Sequence, residues 1–175
     1  MKTAHPLILT GRIEDIDLEP FDRLRQAHFP PDRNFLRAHL TMFHRLPGEY
    51  EAPIVDRLLR IAHETDTIIA EVSGVRHLGA GVAYLIESLK LQDVRAALKR
   101  EFVAWLGPQD KQNWQPHITV LNKSTKIKAD DLYRNLSQEF KPHPIRITGL
   151  DLWEYLGGPW KQKTQCPFSV PTDVA

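Results

Sequence analysis

The feature that most constrains this chain is an octapeptide that occurs twice. Leu36-Arg37-Ala38-His39-Leu40-Thr41-Met42-Phe43 and Trp114-Gln115-Pro116-His117-Ile118-Thr119-Val120-Leu121 share the pattern apolar, polar, small, His, apolar, Thr, apolar, apolar, with the histidines 78 positions apart. Each copy alternates as a strand does, so His39 and Thr41 share one face, as do His117 and Thr119, while Leu40, Met42, Ile118 and Val120 turn towards a core. A helical pattern precedes and follows each copy. The chain therefore reads as two similar lobes, each carrying one chemical strand.

The remaining elements fit this plan. Residues 6–11 read as a short buried strand, 20–28 as a brief helix opened by Pro20, and 38–46 as a strand ended by Pro47-Gly48. A helix is expected over 52–64 with Pro53 in its first turn, and a strand pair over 67–75 and 80–87, bounded by glycines. Leu91, Val94, Leu98, Phe102 and Trp105 mark the buried stripe of a helix over 89–106. A loop at 107–115 leads to a strand at 116–122, followed by a helix at 130–140 and strands at 145–156 and 164–170. The whole, residues 1–175, is expected to be one domain of α+β class: two pseudo-symmetric lobes of antiparallel-rich sheet with outer helices around a central groove.

Two imidazoles and two hydroxyls that converge on one small volume suit a phosphodiester. In-line displacement at phosphorus needs one group to take a proton from the attacking oxygen and another to protonate the leaving oxygen. Histidine, with an ordinary pKa near 6.5, serves in either state around neutrality. Threonine hydroxyls can donate to the non-bridging oxygens.

On these residues the sequence resembles the two-histidine (2H) phosphoesterase superfamily, especially its bacterial 2′-5′ RNA ligase-like branch. The resemblance spans nearly the whole chain. Besides Arg37-Ala38-His39-Leu40-Thr41 and Pro116-His117-Ile118-Thr119-Val120 it takes in Gly-Val-Arg-His-Leu-Gly-Ala-Gly-Val at 74–82 and Gly-Pro-Gln-Asp-Lys-Gln at 107–112. Ala38 stands where the family commonly has proline. The resemblance implies a bilobal fold, catalysis without metal or cofactor, and action on 2′,3′-cyclic phosphates or 2′,5′-linkages, by cleavage or reversible transesterification. It makes His39 and His117 the acid and base and Thr41 and Thr119 the phosphate ligands. Which histidine is the acid is left open, and the roles exchange with reaction direction. The alternative function is a phosphate-ligand or RNA-binding module of the same fold that does not turn over.

Composition bounds the partners. With 23 basic and 22 acidic side chains the net charge is +1, too small to hold long nucleic acid through counterion release, so a short RNA or cyclic nucleotide is the expected substrate. A single cysteine, Cys166, rules out an intrachain disulfide and a cysteine-based zinc cage, and suits a reducing cytosol. It is expected to be inert. No apolar run reaches signal-peptide or membrane-spanning length, so a cytoplasmic monomer is expected, with no membrane and no obligate protein partner.

Other motifs match known patterns less well. His63-Glu64 lacks the later histidine of a zinc helix, and Gly74, Gly79 and Gly81 fail both the P-loop and the dinucleotide patterns, so a strand-joining turn is the better account. Arg37 shares the face of His39 if the strand starts early; surface exposure is the other reading. Tyr84, Trp153 and Tyr155 lie on expected strands and either stack on a base or pack in the core. Lys123, Lys126 and Lys128 either meet an RNA backbone or form a solvated loop.

Overall fold

The computed structural model describes residues 2–169. Seven strands, β1 (Pro6–Ile13), β2 (Leu40–Pro47), β3 (Ile68–His77), β4 (Val82–Glu87), β5 (His117–Leu121), β6 (His143–Tyr155) and β7 (Trp160–Pro167), form a sheet in the order β1-β2-β5-β4-β3-β6-β7. Every pairing between them is antiparallel, and β1 also pairs with β6, closing six strands into a ring with β7 added along β6. The helices are α1 (Asp15–His28), α2 (Glu51–His63), α3 (Leu89–Phe102), a single turn α4 (Pro108–Lys111) and α5 (Lys126–Glu139). None is long and apolar enough to cross a membrane among the described residues.

The twofold pattern in the sequence is a twofold pattern in space. The run β1-α1-β2-α2-β3 is matched by β4-α3-β5-α5-β6, and the pairings correspond: β1 with β2 as β4 with β5, and β1 with β6 as β4 with β3. β7 lies outside the repeat.

Burial follows the alternation. Leu40, Met42, Ile118 and Val120 are fully buried, as are Leu9, Leu150 and Leu152 on neighbouring strands. Helical stripes meet this face: Ile54 and Leu58 of α2, and Leu91, Leu98 and Phe102 of α3, the last edge-on to Phe43 at 5.6 Å between ring centroids. Each such side chain contributes about 1.5–3 kcal/mol relative to exposure.

Element starts differ from expectation where a polar signal outweighed periodicity. α1 begins at Asp15, with acidic Asp15 and Asp17 in its first turn favoured by the helix dipole, so Pro20 lies inside the helix instead of opening it. Pro20 is exposed, and water can hydrate the carbonyl that its missing N–H leaves free. α5 begins at Lys126 because the Thr125 hydroxyl accepts from the Lys128 N–H at 3.2 Å. α3 ends at Phe102 and gives way to a 3-10 turn over Val103–Trp105, and the expected loop after it contains α4. The expected last strand, 164–170, runs from Trp160 to Pro167; Val170 lies outside the described residues.

Candidate active site

The two motifs do not face each other across a gap between lobes. β2 and β5 are neighbours in one sheet, in register at Leu40 with Ile118. Because both of those side chains are buried, His39, Thr41, His117 and Thr119 all stand on the opposite face. Antiparallel register then sets His39 opposite Thr119 and Thr41 opposite His117. Directly opposite Cβ atoms lie about 4.5–5.5 Å apart, and diagonal ones, such as those of His39 and His117, about 7–8 Å apart. The four side chains are the corners of a parallelogram centred on the Leu40–Ile118 pair, and each imidazole has the other motif's hydroxyl beside it.

Both imidazoles are held in the same way. His39 Nδ1–H donates to the Arg37 carbonyl and His117 Nδ1–H to the Gln115 carbonyl, each at 2.8 Å. A carbonyl only accepts, so these bonds put the hydrogen on Nδ1 and leave Nε2 as the free, lone-pair-bearing nitrogen of the neutral ring. Burial pushes the His39 pKa down to about 4, with the positive charges of Arg25, His117 and His44 acting in the same sense and the bond to Arg37 opposing. His39 is neutral at pH 7.

Two buried arginines tie the motifs together from behind. Arg25 of α1 is 4% exposed and donates to Asn34 Oδ1 at 2.9 Å, to the Leu36 carbonyl at 3.0 Å and to the Thr119 carbonyl at 3.4 Å. Its guanidinium lies 3.9 Å from the centre of the Phe29 ring, and burial lowers its pKa to about 10, which keeps it charged. Arg95 of α3 donates to the carbonyls of Met42 and Asp110, both at 2.8 Å. Trp114 Nε1–H donates to the Thr41 carbonyl at 3.1 Å. Each motif strand is thus bound by a donor that belongs to the other half.

The approach to the second motif also anchors the first. Asp110, 1% exposed, accepts from the backbone N–H groups of His44 and Arg45 at 2.9 and 3.0 Å and from His44 Nδ1 at 3.1 Å. Burial raises its pKa, but these hydrogen bonds outweigh that and hold the carboxyl below its ordinary value. Ala38, in the place where the family commonly has proline, uses its free N–H to donate to Asp22 Oδ1 at 2.8 Å.

A cavity of about 550 Å³ opens on the His39 side. Its walls include Phe35, Arg37, His39, Trp153 and Trp160, and Arg12 and Asp151 line it too. Trp160 lies 4.6 Å from His39 between ring centroids, and Trp153 donates to Thr10 Oγ1 at 2.9 Å. Arg12 Nε–H donates to both carboxylate oxygens of Asp151 at 3.2 Å, and Nη2 also donates to Oδ1; the carboxylate bond holds the Arg12 pKa above its ordinary value.

Of the residues singled out from the sequence, the structure brings together His39, Thr41, His117 and Thr119, with Arg37 and Trp153 on the cavity wall. Arg37 also pairs with Asp22 at 3.5 Å. Tyr84 is excluded: its register partner is Ile118, so it points to the buried face, edge-on to Phe21 at 5.1 Å. Tyr155, at the end of β6 and 44% exposed, does not line the cavity. Lys126 is paired with Asp130 at 2.7 Å in the first turns of α5. Cys166 is fully buried, and burial together with Asp151 pushes its thiol up to about 11, so it stays protonated. No cluster of three or more potential metal-ligating side chains occurs among the described residues.

Sequence reasoning misses Phe35, Trp160, Arg12 and Asp151 in the cavity, and Arg25, Arg95 and Asp110 behind the site. Arg95 carries a signal, a charge beside Val94 on a stripe meant for burial. Trp160 carries none, because only the β6–β7 pairing brings it to His39.

The sequence model of the 2′-5′ RNA ligase superfamily matches residues 14–159. No curated protein matches the chain in sequence. Solved structures with the same fold include a phosphoesterase (TM-score 0.64, 14% identity, 94% of this chain and 98% of that one). E. coli LigT complexed with 3′-AMP is similar to the same degree (0.63, 15% identity, 94% and 98%). TT0787 of Thermus thermophilus is a third (0.65, 13% identity, 93% and 97%).

Proposed function

Because the chain belongs to the 2′-5′ RNA ligase superfamily, we propose that it is a metal-independent phosphodiesterase that works through His39 and His117 on a 2′,3′-cyclic or 2′,5′-linked nucleotide phosphodiester. The observation that carries this reading is the Leu40–Ile118 register, which sets two imidazoles on one diagonal and two threonine hydroxyls on the other around a phosphate-sized space.

The chemistry follows from the positions. In hydrolysis His39, held neutral by its burial, takes a proton through Nε2 from a water on one side of phosphorus. That water's oxygen forms the new P–O bond while the bond to the ribose oxygen on the opposite side breaks. His117, protonated at the start, gives its Nε2 proton to the departing oxygen. The Thr41 and Thr119 hydroxyls donate to the non-bridging oxygens, where charge accumulates in the transition state. When a ribose hydroxyl replaces water, the same groups carry out transesterification, and the reverse reaction exchanges their roles. The ligand of the E. coli structural neighbour, 3′-AMP, belongs to the class of nucleotide phosphates that such a site would take, and a short RNA end is the natural extension of it.

The test is turnover of a 2′,3′-cyclic nucleotide and a 2′,5′-linked dinucleotide in excess chelator. We expect cleavage that resists the chelator and falls by about 10²- to 10⁴-fold in His39→Ala and in His117→Ala. Cleavage that survives both substitutions, or that stops with chelator, overturns the mechanism.

A further inference from the structure

The groove is not chemically twofold, although its backbone is. β1 lies beside the first motif strand as β4 lies beside the second: Thr10 pairs with Thr41, and Ala83 with Thr119. One row on, the register sets Arg12 beside His39, whereas Leu85 pairs with His117. One flank of the phosphate site has Ala83 and Leu85 next to the motif strand and, beyond Ala83, an exposed Arg76 that donates to Gln115 Oε1 at 2.7 Å. The other opens into a cavity with an ion pair in its wall and Phe35, Trp153 and Trp160 around it. Of the groups assigned to the phosphoryl chemistry only His39 lies on its wall, and the rest of the cavity has no part in that chemistry.

We propose that this cavity is a nucleobase subsite that selects guanine, read by the Asp151 carboxylate and the Arg12 guanidinium. The inference rests on the phosphodiesterase reading and names the substrate class for it. Strands are spaced by about 4.8 Å, so Arg12 stands one strand and Asp151 two strands from the first motif, within the roughly 5–10 Å that a ribose and base extend from the phosphate. The pair has capacity left over. Among the described residues Asp151 Oδ2 accepts only from Arg12 Nε, and Arg12 Nη1 has no hydrogen-bond partner.

On the outer edge of the pair the second hydrogen of Nη2 lies beside Oδ1, and this donor and acceptor match guanine: N1–H and N2–H donate to the carboxylate, and O6 accepts from the guanidinium. Adenine offers the reverse on that edge, since its N1 lone pair would face the carboxylate oxygens. Trp160, packed 4.6 Å from His39, and Phe35, 57% exposed at the cavity wall, give flat apolar surfaces for a purine. Stacking serves any base, so discrimination between the two purines falls to polar groups, and the ion pair supplies them beside the Gln162 and Gln165 amides of the same wall.

The experiment is a binding titration of the wild-type protein with 3′-GMP and 3′-AMP, which requires no turnover. We expect 3′-GMP to bind about 10-fold or more tightly, the discrimination typical of one bidentate base contact. Trp160→Ala should weaken both ligands and leave their ratio standing, whereas Asp151→Asn should remove the preference. Equal affinities in the wild type, or a preference for adenine, overturn the base assignment and leave the two-histidine mechanism untouched. Failure of both nucleotides to bind overturns it as well, and the turnover assay then decides separately whether the phosphodiesterase reading falls too.

Discussion

Arg25→Met removes the cation beneath the site while keeping side-chain length and apolar volume. In the wild type the guanidinium donates to Asn34 Oδ1, the Leu36 carbonyl and the Thr119 carbonyl, and so links the approach to His39 with the strand of the second motif. Hydrogen bonds to charged groups contribute about 1.5–3 kcal/mol each, and relief from burying an ion that is 4% exposed offsets several kcal/mol of that. A net loss of about 3 kcal/mol follows, which for a chain of this size lowers Tm by roughly 6–12 °C. The substitution also removes one of the positive charges that add to burial in depressing the His39 pKa from 6.5 to about 4. Loss of a neighbouring cation favours imidazolium, so the His39 pKa rises and the acid limb of kcat/KM moves towards neutral pH. Differential scanning calorimetry and a pH–rate profile on a 2′,3′-cyclic nucleotide measure the two effects. An unchanged Tm together with an acid limb that stays put, or moves to lower pH, would refute the role assigned to Arg25.

Three further outcomes are expected. Thr41→Val and Thr119→Val keep the side-chain shape and remove the hydroxyl, so each should lower kcat/KM by about 10- to 10³-fold while leaving Tm within a few degrees, the loss seen when one donor to a developing oxyanion is deleted. Because the folded-state pKa of His39 is depressed, the unfolded chain binds a proton between pH 6.5 and about 4 that the folded chain does not, and stability falls as pH drops through that window. Thermal melts of His39→Gln should show a shallower decline across the same range. Gly81→Ala should destabilise the fold by about 2 kcal/mol or more, since its Cβ would overlap the Leu121 carbonyl oxygen where the β3–β4 turn meets the end of β5; a chemical denaturation midpoint equal to wild type would contradict that contact.

Much of this protein is legible in its local sequence. The repeated octapeptide carries both the alternation that buries Leu40, Met42, Ile118 and Val120 and the pairing of each histidine with a threonine two residues on. Periodicity and glycine or proline boundaries locate most of the strands and helices, because burial of one face is a property of each segment by itself. Helix starts decided by a single polar group, such as Thr125 capping α5 or Asp15 and Asp17 favouring α1, precede the periodic stripe by several residues and escape a reading based on periodicity. The tertiary structure alone decided that the two motif strands lie side by side, so that four functional groups share one sheet face instead of meeting from opposite walls. It also turned Tyr84 towards Phe21 and away from the site, and brought Arg12, Asp151 and Trp160 into one cavity from strands far apart in the chain. The physical reason is that a strand's alternation specifies which residues share a face, whereas which strands become neighbours, and in what register, depends on hydrogen bonds and packing between segments far apart in the chain, such as Arg12 and Asp151, which are separated by 139 residues.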